Sequence, residues 1–237
     1  MKVLATDFDK TFFADDIITL EENIQKMKIW RKKGYLFVIA TGRNFPFLLK
    51  DLEKYNISFD YAICNDGGKI YNKDGKCLFS KDIPLKCNKQ ILSTVKKDPN
   101  TFDYFIDSGN GLIKDENILA NAIIIKPIDI SKAYLLLDKI VKENPEVHGY
   151  ISDNWINITE KTVNKMTGLN NFLKMLAIDK KNLYTIGDNL NDYQMITTFN
   201  GAIMEEHDPS LDNLPNLKYK SVALYIEDIL KKENTEI

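Results

Sequence analysis

Short apolar runs alternate with amphipathic stretches through the first third of the chain. The runs that begin at Leu4 and that cover residues 35–40 and 61–64 are typical of β-strands buried on both faces. Between them, apolar positions recur at helical spacing over residues 19–33 and 46–55. This β-α-β-α-β order predicts a parallel sheet with right-handed crossovers. A hairpin is expected over residues 69–81, which turn at Asp74 and Gly75.

The middle of the chain follows a different order. Helical patterns cover residues 86–97 and 131–143, and strand patterns cover residues 101–106, 120–126, 147–152 and 155–159. The order α-β-β-α-β-β favours an antiparallel sheet with two helices on one face. We therefore predict an inserted α+β domain at residues 82–160.

The parallel pattern resumes in the last third of the chain. We expect a helix over residues 165–176, strands over 183–186 and 201–204, and helices over 193–199 and 222–231. The predicted fold class is therefore α/β, with a Rossmann-like parallel sheet core formed by residues 1–81 and 161–237. The inserted domain interrupts this core.

Composition narrows the class of protein. The chain has 237 residues, of which 44% are hydrophobic and 28% charged, and this is ample material for a core. The net charge of −2 and the scattered lysines argue against a nucleic-acid partner. Apolar runs are shorter than the roughly 20 residues of a membrane helix, and we expect neither a signal peptide nor a membrane partner. A cytoplasmic location is predicted, while the sequence gives no indication of oligomeric state.

Polar clusters follow three of the predicted strands. These clusters are Asp7 and Asp9; Thr41, Gly42 and Arg43; and Asp188, Asn191 and Asp192. Strand alternation would send Asp7 and Asp9 to the same side, and in open α/β sheets the ligand site lies at the carboxyl ends of the strands. Four carboxylates at one edge need a cation, and their oxygens suit a hard ion, above all Mg²⁺. The three cysteines have no paired spacing, which argues against a zinc site.

These residue types favour phosphoryl transfer. An aspartate can attack phosphorus and carry the phosphoryl group, and a second acid such as Asp9 can protonate the leaving alcohol and then activate water. Thr41 can donate its hydroxyl and its backbone N–H to a phosphate oxygen. Lys165 opens a predicted helix and can supply a cation, although Lys161 and Asn164 are alternatives for that position.

With these residues in place, the chain resembles the phosphatases of the haloacid dehalogenase superfamily. It is most similar to the Cof-like, type IIB group, which carries an α+β cap of the C2B type between the second and third motifs. The stretches that carry the resemblance, in the order of the family, are residues 7–11, residues 39–43, Lys165 and residues 187–192. Residues 63–68 resemble the Asn-Gly turn that such proteins have before the cap.

The resemblance implies a role for each motif residue. Asp7 is the expected nucleophile and Asp9 the general acid and base. Mg²⁺ is expected on Asp7, on the backbone carbonyl of Asp9 and on Asp188, with Asn191 and Asp192 in support. The residues expected to hold the phosphoryl group or to line the substrate pocket are Thr41, Gly42, Arg43, Asn65, Lys165 and Asn191.

Two stretches depart from the pattern of the family. Lys10 stands where glycine is usual, and a left-handed backbone there would cost lysine about 1 kcal/mol. Residues 204–207 replace the usual small-residue and asparagine pattern, so substrate contacts there are expected to differ. Trp155 can either stack on a sugar or pack against the sheet of the inserted domain.

We predict a Mg²⁺-dependent phosphatase that hydrolyses a small phosphorylated metabolite, a sugar phosphate foremost, through an aspartyl-phosphate intermediate. A phosphomutase of the same fold and a non-enzymatic regulator that binds a phosphometabolite are the alternatives. The sequence does not separate hexose, pentose and polyol phosphates from nucleotides or cofactor phosphates, because selectivity depends on the loops of the cap.

Overall fold

The computed structural model describes residues 1–152 and 154–235. The strands of the described residues are β1 (Val3–Thr6), β2 (Leu36–Ala40), β3 (Tyr61–Cys64), β4 (Lys69–Asn72), β5 (Cys77–Ser80), β6 (Thr101–Asp107), β7 (Leu112–Ile113), β8 (Ala122–Pro127), β9 (Val147–Ser152), β10 (Trp155–Glu160), β11 (Leu183–Gly187), β12 (Asn200–Met204) and β13 (Lys218–Tyr219). The α-helices are α1 (Ile17–Lys32), α2 (Phe45–Lys54), α3 (Leu85–Lys97), α4 (Ala133–Glu143), α5 (Lys165–Met175), α6 (Tyr193–Thr198) and α7 (Val222–Thr235).

Eight strands form the larger sheet, in the order β13-β12-β11-β1-β2-β3-β4-β5. The six strands from β13 to β3 run parallel, and β4 and β5 continue the sheet as an antiparallel hairpin. Val3 of β1 pairs with Leu183 on one side and with Leu36 on the other. The predicted parallel α/β core is therefore confirmed, and the carboxyl ends of β2, β1 and β11 lie side by side.

Both faces of the larger sheet are covered. Leu4 of β1 packs on one face in a cluster with Trp30 and Phe37, and Ala5 packs on the other with Phe172. All five side chains are fully buried. Burial on two faces explains why the parallel strands are continuously apolar, and each large side chain contributes roughly 1.5–3 kcal/mol to folding.

The smaller sheet has five antiparallel strands in the order β7-β6-β8-β10-β9. Helices α3 and α4 cover one of its faces, where Ile91 and Leu136 pack with Ile123 and Ile156. The predicted antiparallel sheet with two helices is thus present. β7 was not predicted, because a strand of two residues is too short to show alternation.

Helix α7 extends beyond its predicted end at residue 231 and continues to Thr235. Its last turns are held by ion pairs, since Glu233 lies 3.3 Å from the ammonium group of Lys2 and 3.2 Å from that of Lys33. These contacts come from distant segments, and a local pattern does not predict them. Within the described part of the chain, the helices lack the combination of length and apolarity that a membrane span requires.

Candidate active site

Three of the predicted acidic residues meet where β1 and β11 end. Asp7 directly follows β1, and Asp188 directly follows β11, its parallel neighbour. One carboxylate oxygen from each of Asp7, Asp188 and Asp192 lies within 4.8 Å of the others. All three residues are buried. The parallel topology thus collects charges that are far apart in sequence into one cluster.

Lys165, the first residue of α5, extends into this acid cluster. Its Nζ lies 2.5 Å from Oδ1 of Asp7 and 2.6 Å from Oδ1 of Asp192, and its side chain is only 1% exposed. Asn164 caps the helix instead, since its side chain accepts a hydrogen bond from the backbone N–H of Thr167. Of the candidates that the sequence left open, Lys165 is therefore the one at the acid cluster; Lys161 is exposed.

Burial dominates the electrostatics of the cluster. It raises the pKa of Asp7 well above its usual range, an effect that Lys165 opposes and Asp192 and Asp188 reinforce. Burial also raises the pKa of Asp188. The Thr11 hydroxyl donates a 2.5 Å hydrogen bond to this carboxylate, which opposes the rise. For Lys165, burial alone would lower the pKa, but Asp192 and Asp7 raise it, so the ammonium stays charged.

The donor set fits a hard divalent cation. Three clustered carboxylates face one ammonium group, so an additional cation would favour their ionised forms. Asp192 uses Oδ1 for Lys165, and its Oδ2 accepts hydrogen bonds from the backbone N–H groups of Asp188 and Asn189 at 3.0 and 3.1 Å. Asp192 is thereby suited to hold the backbone of Asp188 and Asn189 and the ammonium group of Lys165 in place. Asp7 and Asp188 offer oxygens of the kind that Mg²⁺ prefers.

The side chain of Asp9 lies apart from the acid cluster. Arg43 holds it by two hydrogen bonds, of 2.8 Å from Nε and 2.5 Å from Nη2, and also donates at 2.6 Å to Asp51. β1 ends at Thr6, so the strand alternation that was expected to align Asp7 with Asp9 no longer applies. Burial lowers the pKa of Arg43, but its bonds to Asp9 and Asp51 raise it overall, and the guanidinium remains charged.

The second polar cluster surrounds a carboxylate that the sequence reasoning missed. The backbone N–H of Thr41, expected to bind phosphate, donates instead to the carbonyl of Ile63 at 2.8 Å, which leaves its hydroxyl for that task. The backbone of Gly42 passes so close to Asp66 that a Cβ there would lie 3.2 Å from Oδ1 of Asp66. Asp66 itself is buried.

Asp66 links the two sheets. Its carboxylate accepts hydrogen bonds from Asn191 at 3.1 Å and from the hydroxyl of Tyr150, on β9 of the smaller sheet. Its φ of 52° is left-handed, which aspartate tolerates, in a turn where Asn65 has a φ of 51°. The sequence indicated this turn, but no local pattern pairs Asp66 with a residue 84 positions away.

A second polar contact joins the sheets beside Asn65. Asn44 donates from Nδ2 to Oδ2 of Asp107, at the end of β6, over 2.9 Å. Burial raises the pKa of Asp107, and hydrogen bonds from Asn44, the Gly109 backbone and Asn65 oppose that rise. Asn65, which was expected to line the pocket, thus lies buried next to Asp107.

Comparisons with known proteins identify the family of this chain. The family model described as haloacid dehalogenase-like hydrolase matches residues 4–132 and 112–217. A relative from Buchnera aphidicola subsp. Baizongia pistaciae, named as a candidate phosphatase, is 25% identical and covers 98% of this chain and 99% of its own length. The 5-amino-6-(5-phospho-D-ribitylamino)uracil phosphatase of Bacillus subtilis is 23% identical over 83% of this chain and 80% of its own.

Among solved structures, one described as a HAD subclass IIB sugar phosphatase has a TM-score of 0.77, with 15% identity over 97% of this chain and 99% of that one. This likeness shows a common fold, the fold that the predicted resemblance to the type IIB group implied. The family model covers most of the sequence, including the segments that hold Asp7, Lys165 and Asp188. The chain therefore belongs to the haloacid dehalogenase-like hydrolases.

Proposed function

We propose that this protein is a Mg²⁺-dependent phosphatase that acts on a small phosphorylated metabolite through an aspartyl-phosphate on Asp7. The observation that carries the proposal is the 2.5 Å contact between Lys165 and Asp7 inside a buried cluster of carboxylates. A phosphoryl group bound there would meet a carboxylate nucleophile and an ammonium group at the same place. In-line attack and neutralisation of phosphoryl charge are the two requirements of this chemistry.

The reaction divides between two aspartates. An oxygen of Asp7 attacks phosphorus while the bond to the leaving oxygen breaks, and that oxygen takes a proton from Asp9. Water then attacks phosphorus, gives a proton to Asp9 and restores the carboxylate of Asp7. Because Arg43 holds both oxygens of Asp9, that side chain must turn away to act, and its 47% exposure leaves room for the movement.

Asp7, Asp188 and the backbone carbonyl of Asp9 would hold Mg²⁺, with Asn191 and Asp192 in support. When bound, the ion offsets negative charge on the phosphoryl oxygens and on the nucleophile. Lys165 supplies a fixed positive charge, and the hydroxyl of Thr41 is available to donate to a phosphoryl oxygen.

Residues 82–160 are proposed to act as a cap that excludes bulk water and selects the leaving group. The contacts that support this role are those of Tyr150 with Asp66 and of Asp107 with Asn44, which bring the smaller sheet beside the acid cluster. A cytoplasmic location and the lack of a nucleic-acid partner remain predictions from the sequence.

The names of similar proteins support a sugar or polyol phosphate as the substrate. One neighbour in fold is described as a sugar phosphatase, and one relative as a phosphatase for a ribitylaminouracil. Only the second name specifies a heteroaromatic ring on the leaving group, so the likeness alone does not decide between the two kinds of substrate.

An assay with a generic aryl phosphate tests the proposal. Phosphate release should require Mg²⁺ and stop with a chelator, and Asp7→Asn should lower kcat by about 10³-fold or more. Asp16→Asn is the matched control, because Asp16 only caps α1 and asparagine caps equally well. Full activity of Asp7→Asn, or after chelation, would overturn the proposal.

The same assay separates the alternatives. Inorganic phosphate released without a bisphosphate activator distinguishes a phosphatase from a phosphomutase. Tight binding of phosphometabolites with negligible turnover over a broad panel would instead indicate a regulator.

A further inference from the structure

The face of the smaller sheet that α3 and α4 leave uncovered carries an ordered row of side chains. Tyr150 on β9 lies opposite Asn157 on β10, which lies opposite Ile124 on β8, which in turn lies opposite Phe105 on β6. Directly opposite residues share a face of the sheet. All four side chains are partly exposed. The row therefore forms a continuous surface across four strands.

One end of this row touches the candidate active site. The hydroxyl of Tyr150 donates to Asp66, next to Gly42 and Asn191. Asp107 lies two positions beyond Phe105 on β6 and so on the same face, where it accepts a hydrogen bond from Asn44. From Tyr150 the row extends over three strand spacings, roughly 14 Å. This length exceeds that of a single sugar ring.

Aromatic and cationic side chains lie at the β6 end of this row and beside it, at Trp155 on β10 and Lys126 on β8. The rings of Phe105 and Trp155 lie 6.2 Å apart at an interplanar angle of 51°. Lys126 places its Nζ 5.3 Å from the Trp155 ring, and Lys114 places its Nζ 5.4 Å from the Phe105 ring. Lys114 also pairs with Asp103 at 2.6 Å. Two ammonium groups thus accompany one carboxylate beside two partly exposed rings.

On the basis of the proposed function, we propose that this surface is the leaving-group subsite. It takes a sugar or polyol phosphate that carries a planar heteroaromatic ring at the end away from the phosphate. The ring would stack on Phe105 or Trp155, and its carbonyl or anionic edge would accept hydrogen bonds from Lys114 or Lys126. The spacer would pass over Asn157 and Ile124, where the amide can meet hydroxyl groups. Stacking on these aromatic side chains requires a planar ring, which a polyol chain lacks.

A matched pair of substrates tests this subsite. Flavin mononucleotide and ribitol 5-phosphate share the polyol phosphate and differ in the ring. With Mg²⁺ present, kcat/KM should favour flavin mononucleotide by about 10-fold or more, the factor that corresponds to roughly 1.4 kcal/mol. Phe105→Leu and Trp155→Leu should each remove most of that preference while kcat/KM for ribitol 5-phosphate stays within about twofold.

Tyr134→Leu is the control, because this exposed tyrosine lies on α4, behind the opposite face of the sheet. It should leave both substrates unaffected. Lys126→Met keeps the apolar stem of an exposed side chain and removes its charge, so it reports on the subsite even where a ring variant does not fold. Equal kcat/KM for the two substrates, or equal losses for both in the variants, would overturn the inference.

Binding separates this inference from the proposed function. The affinity of Mg²⁺-free protein for each phosphate can be measured by titration calorimetry, without turnover. Binding of flavin mononucleotide about 10-fold tighter than ribitol 5-phosphate, lost in Trp155→Leu or Lys126→Met, would support the ring subsite even if no phosphate were released. Turnover of both substrates without preference would instead sustain the phosphatase and reject the subsite.

Discussion

Lys165 Nζ and Asp7 Oδ1 are 2.5 Å apart although 158 residues separate them in sequence. The contact joins the start of α5 to the end of β1, on either side of the smaller sheet in the chain. Both residues are buried, so the attraction between them favours the charged form of each. The pair is thus both a structural link and the centre of the proposed chemistry.

Removing this cation should destabilise the fold. Lys165→Met leaves the carboxylates of Asp7 and Asp192 without their partner, and we expect the free energy of unfolding to fall by about 3–5 kcal/mol in metal-free buffer. Urea unfolding measures the change. Lys181→Met, which removes an exposed ion pair with Asp179, should cost less than about 1 kcal/mol. Equal small losses in the two variants would show that Lys165 does not compensate buried charge.

The link between Tyr150 and Asp66 should have a measurable coupling energy. A double-mutant cycle of Tyr150→Phe and Asp66→Asn should give about 1.5–3 kcal/mol, the range for a hydrogen bond to a charged group. The cycle of Tyr219→Phe and Asp228→Asn serves as the control, because Asp228 is 34% exposed. Its coupling should be smaller, and a Tyr150 coupling near zero would mean that this contact does not hold the sheets together.

Lys10 adopts a left-handed backbone, with a φ of 59°. Glycine accepts this conformation without the penalty of about 1 kcal/mol that lysine has, but it loses roughly 0.5 kcal/mol through the entropy of the unfolded chain. Lys10→Gly should therefore raise the free energy of unfolding by about 0.5 kcal/mol in denaturant titrations. Lys132→Gly, at a φ of −98°, should lower it. Destabilisation by Lys10→Gly would indicate that the lysine side chain contributes more than the strain costs.

Asp107 should make stability depend on pH. Burial raises its pKa in the folded protein, so its stabilising contribution is present below the unfolded pKa of about 4 and is lost as pH rises through the folded pKa. The difference in unfolding free energy between the wild type and Asp107→Asn should therefore decline as pH increases from about 4 to 7. Thermal or urea unfolding at several pH values measures it, and parallel curves would contradict the shift.

The acid cluster could be predicted from the sequence because one rule governs it. Apolar runs mark β1 and β11, and parallel strands present their carboxyl ends at one edge, so the meeting of Asp7 with Asp188 follows from topology. Lys165 was predicted as a cation at the start of a helix, with Lys161 and Asn164 as alternatives, and as the third motif of the family. In the structure Asn164 caps α5, which makes Lys165 its first residue.

Other contacts depend on tertiary packing that has no local signature. Asp9 lies beyond the end of β1 at Thr6 and pairs with Arg43, and a strand end is a boundary that periodicity locates poorly. The contact of Asp66 with Tyr150 requires the smaller sheet to lie over the turn at Asn65. No spacing within either segment encodes that placement.

Detection of the phosphoryl group on the enzyme is the most direct test of the proposed mechanism. Asp9→Asn protein mixed with substrate and Mg²⁺, then quenched in acid and digested, should carry a phosphoryl adduct on the peptide that contains Asp7, because hydrolysis of the intermediate is slowed. Asp7→Asn/Asp9→Asn protein should carry none. An adduct on another peptide, or turnover by Asp7→Asn at the wild-type rate, would contradict the assignment of Asp7 as the nucleophile.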